Sequence, residues 1–257
     1  MERTYDIGQA ACYIGVAPST LRYWEDQGLV RSQRDCRSGY RRYTLHDLME
    51  AGEVAFYREL GISVKALKDF RSFTVGEFSA VLADARVDLD ERIEELLRMK
   101  RRVDEQLELN ACAERLSAGE MSCETPLFRR LDVIDYDSPV QWRVLMEDPG
   151  RYGVYVDAAH ADVAVEAVID FGEHAAGEPL WLADEVADDV LWKECLLKCD
   201  AETGASNAND LFAEARSCGM TPLHLVGRLL LTASEETRCD WYQCWMECVM
   251  SWRDSTS

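Results

Sequence analysis

The stretch Pro18-Ser19-Thr20-Leu21-Arg22-Tyr23-Trp24-Glu25-Asp26-Gln27-Gly28-Leu29 decides the fold of the first third of the chain. Proline suits the first turn of a helix, where its missing amide would have no partner in any case, and glycine suits the residue past the end. Leu21 and Trp24, with Tyr23 beside them, give this helix an apolar side. Ser19, Thr20 and Arg22 give it a short polar and cationic stretch near its start. Upstream, Asp6 is a good N-cap for a helix over residues 7–14 that Gly15 would end. Two short helices joined by Gly15-Val16-Ala17 spell a helix-turn-helix.

Downstream, residues 30–43 read as two short strands around a turn with Ser38-Gly39 at its tip. Between residues 31 and 42 stand Arg31, Arg34, Arg37, Arg41 and Arg42 against Asp35 alone, a basic stripe on a chain whose net charge is −20. Helices are expected from Thr44 to about Leu60 and, with Ser63 as N-cap, from there to about Phe73. The charge is uneven: residues 1–77 hold 11 basic and 11 acidic side chains, residues 78–125 hold 7 and 12, and residues 126–257 hold 10 and 25. A balanced head and an acidic tail imply modules with different partners.

Residues 78–118 contain neither proline nor glycine, and Leu89, Ile93, Leu96, Val103 and Leu107 recur at spacings of 4, 3, 7 and 4. Lys100 fills the skipped position and Asn110 the next. This is a coiled-coil seam over about three to four heptads, with polar members that fix pairing, and it predicts a homodimer. The competing reading is a long solvated helix packed on its own chain. Ser117–Pro126 reads as a linker. The domains expected are therefore 1–77, 78–118, a linker 119–125, and 126–257.

The last domain reads as mixed α/β. Gln141–Glu147 and Tyr152–Asp157 flank Asp148-Pro149-Gly150, a hairpin signal. Ala161–Ala175 has helical apolar spacing, and Pro179–Ala183 is a short apolar run. Trp192–Cys199 and Trp241–Met250 fit strand or helix equally, Asp210–Cys218 a helix, and Leu223–Thr232 a strand. A hydrophobic content of 47% is enough to bury a core and excludes a disordered chain. The first residues lack the basic-then-apolar profile of a signal peptide and no apolar run suffices for a membrane span, so cytoplasmic residence and reduced thiols are expected for the ten cysteines.

The first eighty residues resemble the MerR family of bacterial transcription regulators. Thr20-Leu21-Arg22-Tyr23-Trp24-Glu25 with Gly28-Leu29 is similar to the family's recognition helix, and Gly39-Tyr40-Arg41-Arg42-Tyr43 to its wing. Asp47-Leu48 and Leu60-Gly61-Ile62-Ser63 follow in order, and the resemblance runs through the long helix to about residue 115. It implies a winged helix-turn-helix head, antiparallel pairing of the long helices, and a promoter whose over-long spacer the activated dimer distorts for RNA polymerase. The residues agree independently. Ser19, Thr20 and Arg22 suit the start of a helix in the major groove, and Arg34, Arg41 and Arg42, with the hydroxyls of Tyr23 and Tyr40, suit phosphates. Trp24 and Tyr43 serve equally well as core aromatics.

What the tail senses is less directly written. Cys112 and Cys123 stand where metal-sensing members carry thiols, but without a nearby histidine, and each has a bland reading as a packed or linker thiol. Cys195, Cys199, Cys239, Cys244 and Cys248 lack the compact spacing of zinc sites. Trp142, Trp181, Trp192, Trp241, Trp245 and Trp252, with Tyr152, Tyr155 and Tyr242, instead supply aromatic walls amid an excess of carboxylates. Such walls suit a small organic ligand, best a cationic aromatic one. The order of elements resembles a GyrI-like effector domain, in which a buried acid near the last strands meets the ligand; Glu247, between Trp245 and Cys248, is the nearest match. The candidate ligand set is Glu247, Trp142, Tyr155, Trp192, Trp241 and Trp245. A thiol-based metal or redox sensor, or a protein-interaction tail, remains the alternative. No nucleophile elbow or phosphate loop is present and the four histidines stand apart in sequence, so neither an enzyme nor a resident cofactor is expected.

Overall fold

A computed structural model describes residues 3–36, 38–170, 178–183, 190–234 and 237–250 of the 257-residue chain. The chain divides into two compact units, Met1–Lys100 and Arg101–Ser257. The first contains α1 (Ile7–Ile14), α2 (Pro18–Asp26), a hairpin of β1 (Gln33–Arg34) and β2 (Arg41–Arg42), α3 (Leu45–Glu59) and the start of α4 (Val75–Ser117). Asp6 Oδ1 accepts the Gln9 amide at 2.8 Å while the Gln9 side chain accepts the Asp6 amide at 3.1 Å, so α1 begins in a capping box. Gly15 ends it at φ +72°, a conformation that favours glycine. Thr44 and Asp47 form the same reciprocal cap on α3. Leu21 and Trp24 of α2 are buried with Leu29, Tyr43, Leu48, Val54 and Leu67. Trp24 and Tyr43 are thus core aromatics.

The helix expected over Ser63–Phe73 does not form. Ser63 Oγ accepts the Ala66 amide and Leu67 N–H reaches the Ser63 carbonyl, but Asp69 takes φ +127° and the segment closes in a 3-10 turn at Phe70–Ser72. The irregular path buries Leu67 and Phe70 while Arg71 donates to the carbonyls of Gly28 and Leu29. Tertiary contacts override the local helix signal.

Helix α4 has three different faces along its length. Within the first unit, Phe78, Val81 and Ala85 pack against the head core. Within the second, Ala113 and Leu116 are buried against Leu196, Leu230 and Trp241, so the last turns do pack on their own chain. Between them Leu89, Ile93, Leu96, Val103 and Leu107 are exposed, Ile93 by 52%.

The second unit is built on a curled seven-stranded sheet, every neighbouring pair antiparallel, in the order β6-β3-β5-β4-β8-β9-β7. Its strands are β3 (Arg130–Val133), β4 (Tyr152–Asp157), β5 (Ala164–Ile169), β6 (Trp181–Leu182), β7 (Val190–Asp200), β8 (Met220–Ser234) and β9 (Arg238–Met250), with helices α5 (Pro139–Glu147) and α6 (Ala208–Ser217). The hairpin expected around Asp148-Pro149-Gly150 is instead helix, 3-10 turn, strand: Ser138 caps α5, Pro139 occupies its first turn, and Pro149–Arg151 hands the chain to β4. The helix expected over Ala161–Ala175 is contradicted at β5, which pairs with both β3 and β4; positions 171–175 lie outside the described residues. A strand covered on both faces carries apolar residues at successive positions and so imitates a helical pattern. Trp192–Cys199 and Trp241–Met250 are both strand, paired in register from Val190↔Val249 to Asp200↔Cys239. One face of the sheet buries Val156, Leu225, Tyr242, Cys244 and Met246 against Phe212 and Ala215 of α6.

Candidate nucleic-acid interface and aromatic site

Burial of Leu21 and Trp24 turns Ser19, Arg22 and Tyr23 of α2 outward, with Thr20 half-buried beside them. The hairpin is fastened to the same helix through Glu25, a residue sequence reasoning passed over. Its carboxylate accepts Arg41 Nε at 2.6 Å, Ser32 Oγ at 2.7 Å and the Tyr43 hydroxyl at 3.4 Å. Burial raises the Glu25 carboxyl, but the hydrogen bonds from Ser32 and Arg41 and the charge of Arg41 outweigh it and hold it below its ordinary value. Arg41, expected to meet phosphate, is therefore engaged within the head. Arg34 is exposed, with Nη1 3.3 Å from the Gly39 carbonyl, Tyr40 is exposed near the hairpin tip, and Arg42 is half-buried. Arg37 lies outside the described residues. Arg71, also unforeseen, joins α3 to the end of α2 through Glu50, at 2.7 Å, and the carbonyls of Gly28 and Leu29.

In the second unit, alternation along β9 places Glu247, Trp245, Gln243 and Trp241 on one face of the sheet and Cys244 and Cys248 on the other. Register sets Trp192 of β7 and His224 of β8 directly beside Glu247. His224 Nε2 lies 2.8 Å from Glu247 Oε2. Around the imidazole stand Tyr155 at 5.5 Å, Trp192 at 6.2 Å and Trp181 at 6.4 Å between ring centroids. Trp245 is buried beneath, edge-on to Phe128 at 5.7 Å. Burial drives His224 down to about 4, against the opposing pull of Asp157, so the ring is neutral at neutral pH. Burial raises the Tyr155 phenol, and the carboxylates of Asp157 and Glu247 add to it. An imidazole, two carboxylates and three aromatic walls stand together here, and the carboxylates and ring faces are the groups that attract a cation.

Of the six residues expected to meet a ligand, Tyr155, Trp192 and Glu247 come together and Trp245 lies under them. Trp142 does not: it sits on α5, half-exposed, its indole donating to the Tyr136 carbonyl at 2.8 Å. Trp241 packs with Leu196, Leu230 and the last turns of α4, with Lys198 Nζ 3.9 Å from its ring centre. Trp252 is outside the described residues. Trp181 and His224 are the members the sequence left unassigned. Cys112 lies beside Arg115, Nη2 to Sγ 3.5 Å, and Cys123 is exposed. Burial pushes the Cys195 and Cys199 thiols up to about 12. Among the described residues no group of three or more His, Cys, Asp and Glu is placed to hold a metal ion, and no helix is long and apolar enough to cross a membrane.

Residues 5–73 match the family model for the MerR HTH family regulatory protein. The HTH-type transcriptional activator TipA of Streptomyces coelicolor is 28% identical over 151 residues. That alignment covers 54% of each chain, so this chain spans about half the length of that relative. An uncharacterized HTH-type transcriptional regulator of Pseudomonas aeruginosa, PA4778, is 32% identical over 97 residues, covering 35% of this chain and 74% of its own. Among solved structures, the regulator in the cryo-EM structure of the EcmrR–DNA complex in EcmrR-RPo matches at a TM-score of 0.37 and 15% identity, over 96% of this chain and all of that one.

Proposed function

The chain belongs to the MerR family of HTH regulatory proteins, and from that membership we propose a cytoplasmic homodimeric transcription regulator, not an enzyme, that distorts promoter DNA in response to a small organic cation. Residues 1–77 bind the operator, 78–118 pair two chains, 119–125 link, and 126–257 sense; RNA polymerase meets the protein through the promoter. One observation carries the DNA half. Helix α2 buries Leu21 and Trp24, leaves Ser19, Arg22 and Tyr23 outward, and holds the arginine-bearing hairpin through Glu25. A helix for the major groove and a cationic wing for the flanking phosphates are thus held as one piece.

Two contacts separate by their effect on binding. Arg42→Ala should weaken binding to all sequences and lower the salt slope by about one unit, as loss of one phosphate contact does. Arg22→Ala should cost about 1–3 kcal/mol at the specific site and far less elsewhere, as loss of a base contact does. Arg41→Ala should act differently again, loosening the hairpin and raising exchange of its amides, because Arg41 is engaged by Glu25. Fluorescence anisotropy with an upstream promoter duplex checks the first two and amide hydrogen exchange the third; a folded dimer that binds no such fragment at low salt overturns the proposal.

For the sensing half, the supporting observation is the convergence of Tyr155, Trp181, Trp192, His224 and Glu247 from five different strands on one face of the sheet. Aromatic faces with a partly buried carboxylate recognise delocalised cations. Tetraphenylphosphonium should quench tryptophan fluorescence, and Glu247→Gln should weaken it about tenfold, roughly the worth of one buried charge contact, while sparing a neutral analogue. If micromolar zinc or copper stabilises the chain instead, and thiol alkylation abolishes that response, the organic-cation reading falls.

A further inference from the structure

Glu194 of β7 belongs to neither site described above, yet it is 2% exposed. Its Oε1 accepts Arg115 Nη2 at 2.7 Å and Gln243 Nε2 at 2.5 Å. Its Oε2 accepts Arg115 Nη1 at 2.9 Å and the Ser122 amide at 2.9 Å. The same Arg115 Nη1 donates to the Glu120 carbonyl at 2.7 Å, and Gln243 Oε1 accepts Arg228 Nε at 2.9 Å. One buried carboxylate therefore joins the last turn of α4, the connecting segment after it, β7 and β9, and through Gln243 reaches β8.

Stability alone is a poor reason for such a centre. Taking the Glu194 carboxylate out of water costs several kcal/mol, Arg115 keeps its side chain 37% exposed, and packed apolar residues hold elements together at least as well. Apolar contacts are non-directional, however, and let packed surfaces slide. A bidentate fork holds two groups in one geometry, and a shift of about 1 Å either carries the partner along or breaks the pair.

The register shows what lies at the other end. Trp192 and Glu194 share a face of β7, two residues apart; Glu247 and Gln243 share a face of β9; His224 and Arg228 share a face of β8. Trp192 and His224 both stand opposite Glu247, and Arg228 stands opposite Gln243. Each of three adjacent strands thus carries one residue of the aromatic site and, two or four residues along the same face, one residue of the network. The network's remaining member, Arg115, is on α4, which runs unbroken from Val75 to Ser117.

We propose that Glu194 is a positioning residue for the regulatory response: the Arg115–Glu194–Gln243–Arg228 network carries displacement of β7, β8 and β9 at the aromatic site to the last turn of α4. This rests on the aromatic site being the effector site. Ligand occupancy beside Trp192 and Glu247 displaces strands that Arg115 reaches through Glu194 and Gln243, so the helix end follows the strands.

The test is a double-perturbation cycle on the full chain, read by amide hydrogen exchange. Trp192→Ala disturbs the aromatic site; Arg115→Lys keeps the positive charge but removes the fork. In the wild-type background Trp192→Ala should speed exchange of amides 113–122 about tenfold, and in the Arg115→Lys background less than about twofold. A residue of purely structural value would give the same response in both backgrounds. Equal responses, or none in the wild type, overturn the proposal. Glu194→Gln serves as a second variant; should it fail to fold, Arg115→Lys still decides. In a parallel arm, both variants should bind tetraphenylphosphonium within about twofold of wild type yet lose its effect on transcription, a split between binding and response. Retained transcriptional response in Arg115→Lys also overturns the proposal. If the wild-type chain binds no cation, the effector reading fails by that result, and the exchange cycle still decides the coupling.

Discussion

His224 makes the chemistry of the aromatic site measurable without any ligand. In the folded chain burial holds the imidazole down to about 4, below its ordinary 6.5. The unfolded chain therefore binds the proton more readily, and stability must fall as pH drops from about 6.5 towards 4. Between pH 7 and pH 5 this one group should cost about 2 kcal/mol, and His224→Gln should remove that part of the slope. Urea midpoints at the two pH values check it; an unchanged slope in the variant would place the acid sensitivity elsewhere. Glu194 works in the same sense in a lower pH window. Burial raises its carboxyl, but the hydrogen bonds from Arg115, Gln243 and Ser122 prevail and bring it to about 2, so its contribution is present above about 4.5 and lost as pH falls towards 2. At this scale, the sequence made the residue types of Tyr155, Trp192 and Glu247 legible but not their company. Trp181 and His224 join them only through strand pairings between distant segments, and Trp142 and Trp241 leave because nothing local tells which element or face they occupy. Nothing in the sequence marks the roles of Glu25 and Glu194, because the arginine that each holds comes from a distant element.

Elements in the head were legible because their ends are written locally: Asp6, Gly15, Pro18, Thr44 and Gly28 each cap or stop a helix by a mechanism confined to a few residues. The second unit was harder because β5, β7 and β9 are buried on both faces, which erases the alternation that marks a strand. Ser138-Pro139 is a helix start of the same local kind as Pro18, and it makes Gln141–Glu147 a helix where the turn signal at Asp148-Pro149-Gly150 predicts a hairpin. Gly227 on β8 is closely hemmed in: an added Cβ would stand 2.3 Å from Cys244 Sγ and 3.0 Å from the Gln243 carbonyl. Gly227→Ala should therefore destabilise the chain by about 3 kcal/mol, the upper range for overpacking. Cys244→Ala in the same chain should recover part of the loss by removing the sulfur, though not the clash with backbone. Chemical denaturation of the two variants checks this, and full tolerance of Gly227→Ala would contradict so close a β8–β9 contact.

For the whole molecule, oligomeric state comes first. In the proposed dimer the exposed run Leu89, Ile93, Leu96, Val103 and Leu107 on α4 forms the seam between two chains. Ile93→Glu with Leu96→Glu should turn a dimer into a monomer by sedimentation, with the thermal midpoint shifted only a few degrees, roughly as for exposed sites. Binding to a two-half-site operator should collapse with it. A wild-type monomer, or a dimer that survives both charges, would put the interface elsewhere. The reading as a whole is decided most directly by transcription in vitro from a promoter fragment that the full-length protein binds, with and without tetraphenylphosphonium, for wild type and Glu247→Gln. The cation should change transcript yield about tenfold in the wild type, a coupling of ordinary allosteric size, with DNA affinity altered less than about threefold and no response from Glu247→Gln. Yield that ignores the cation in the wild type, or responds equally in Glu247→Gln, would contradict a regulator that senses organic cations at this site.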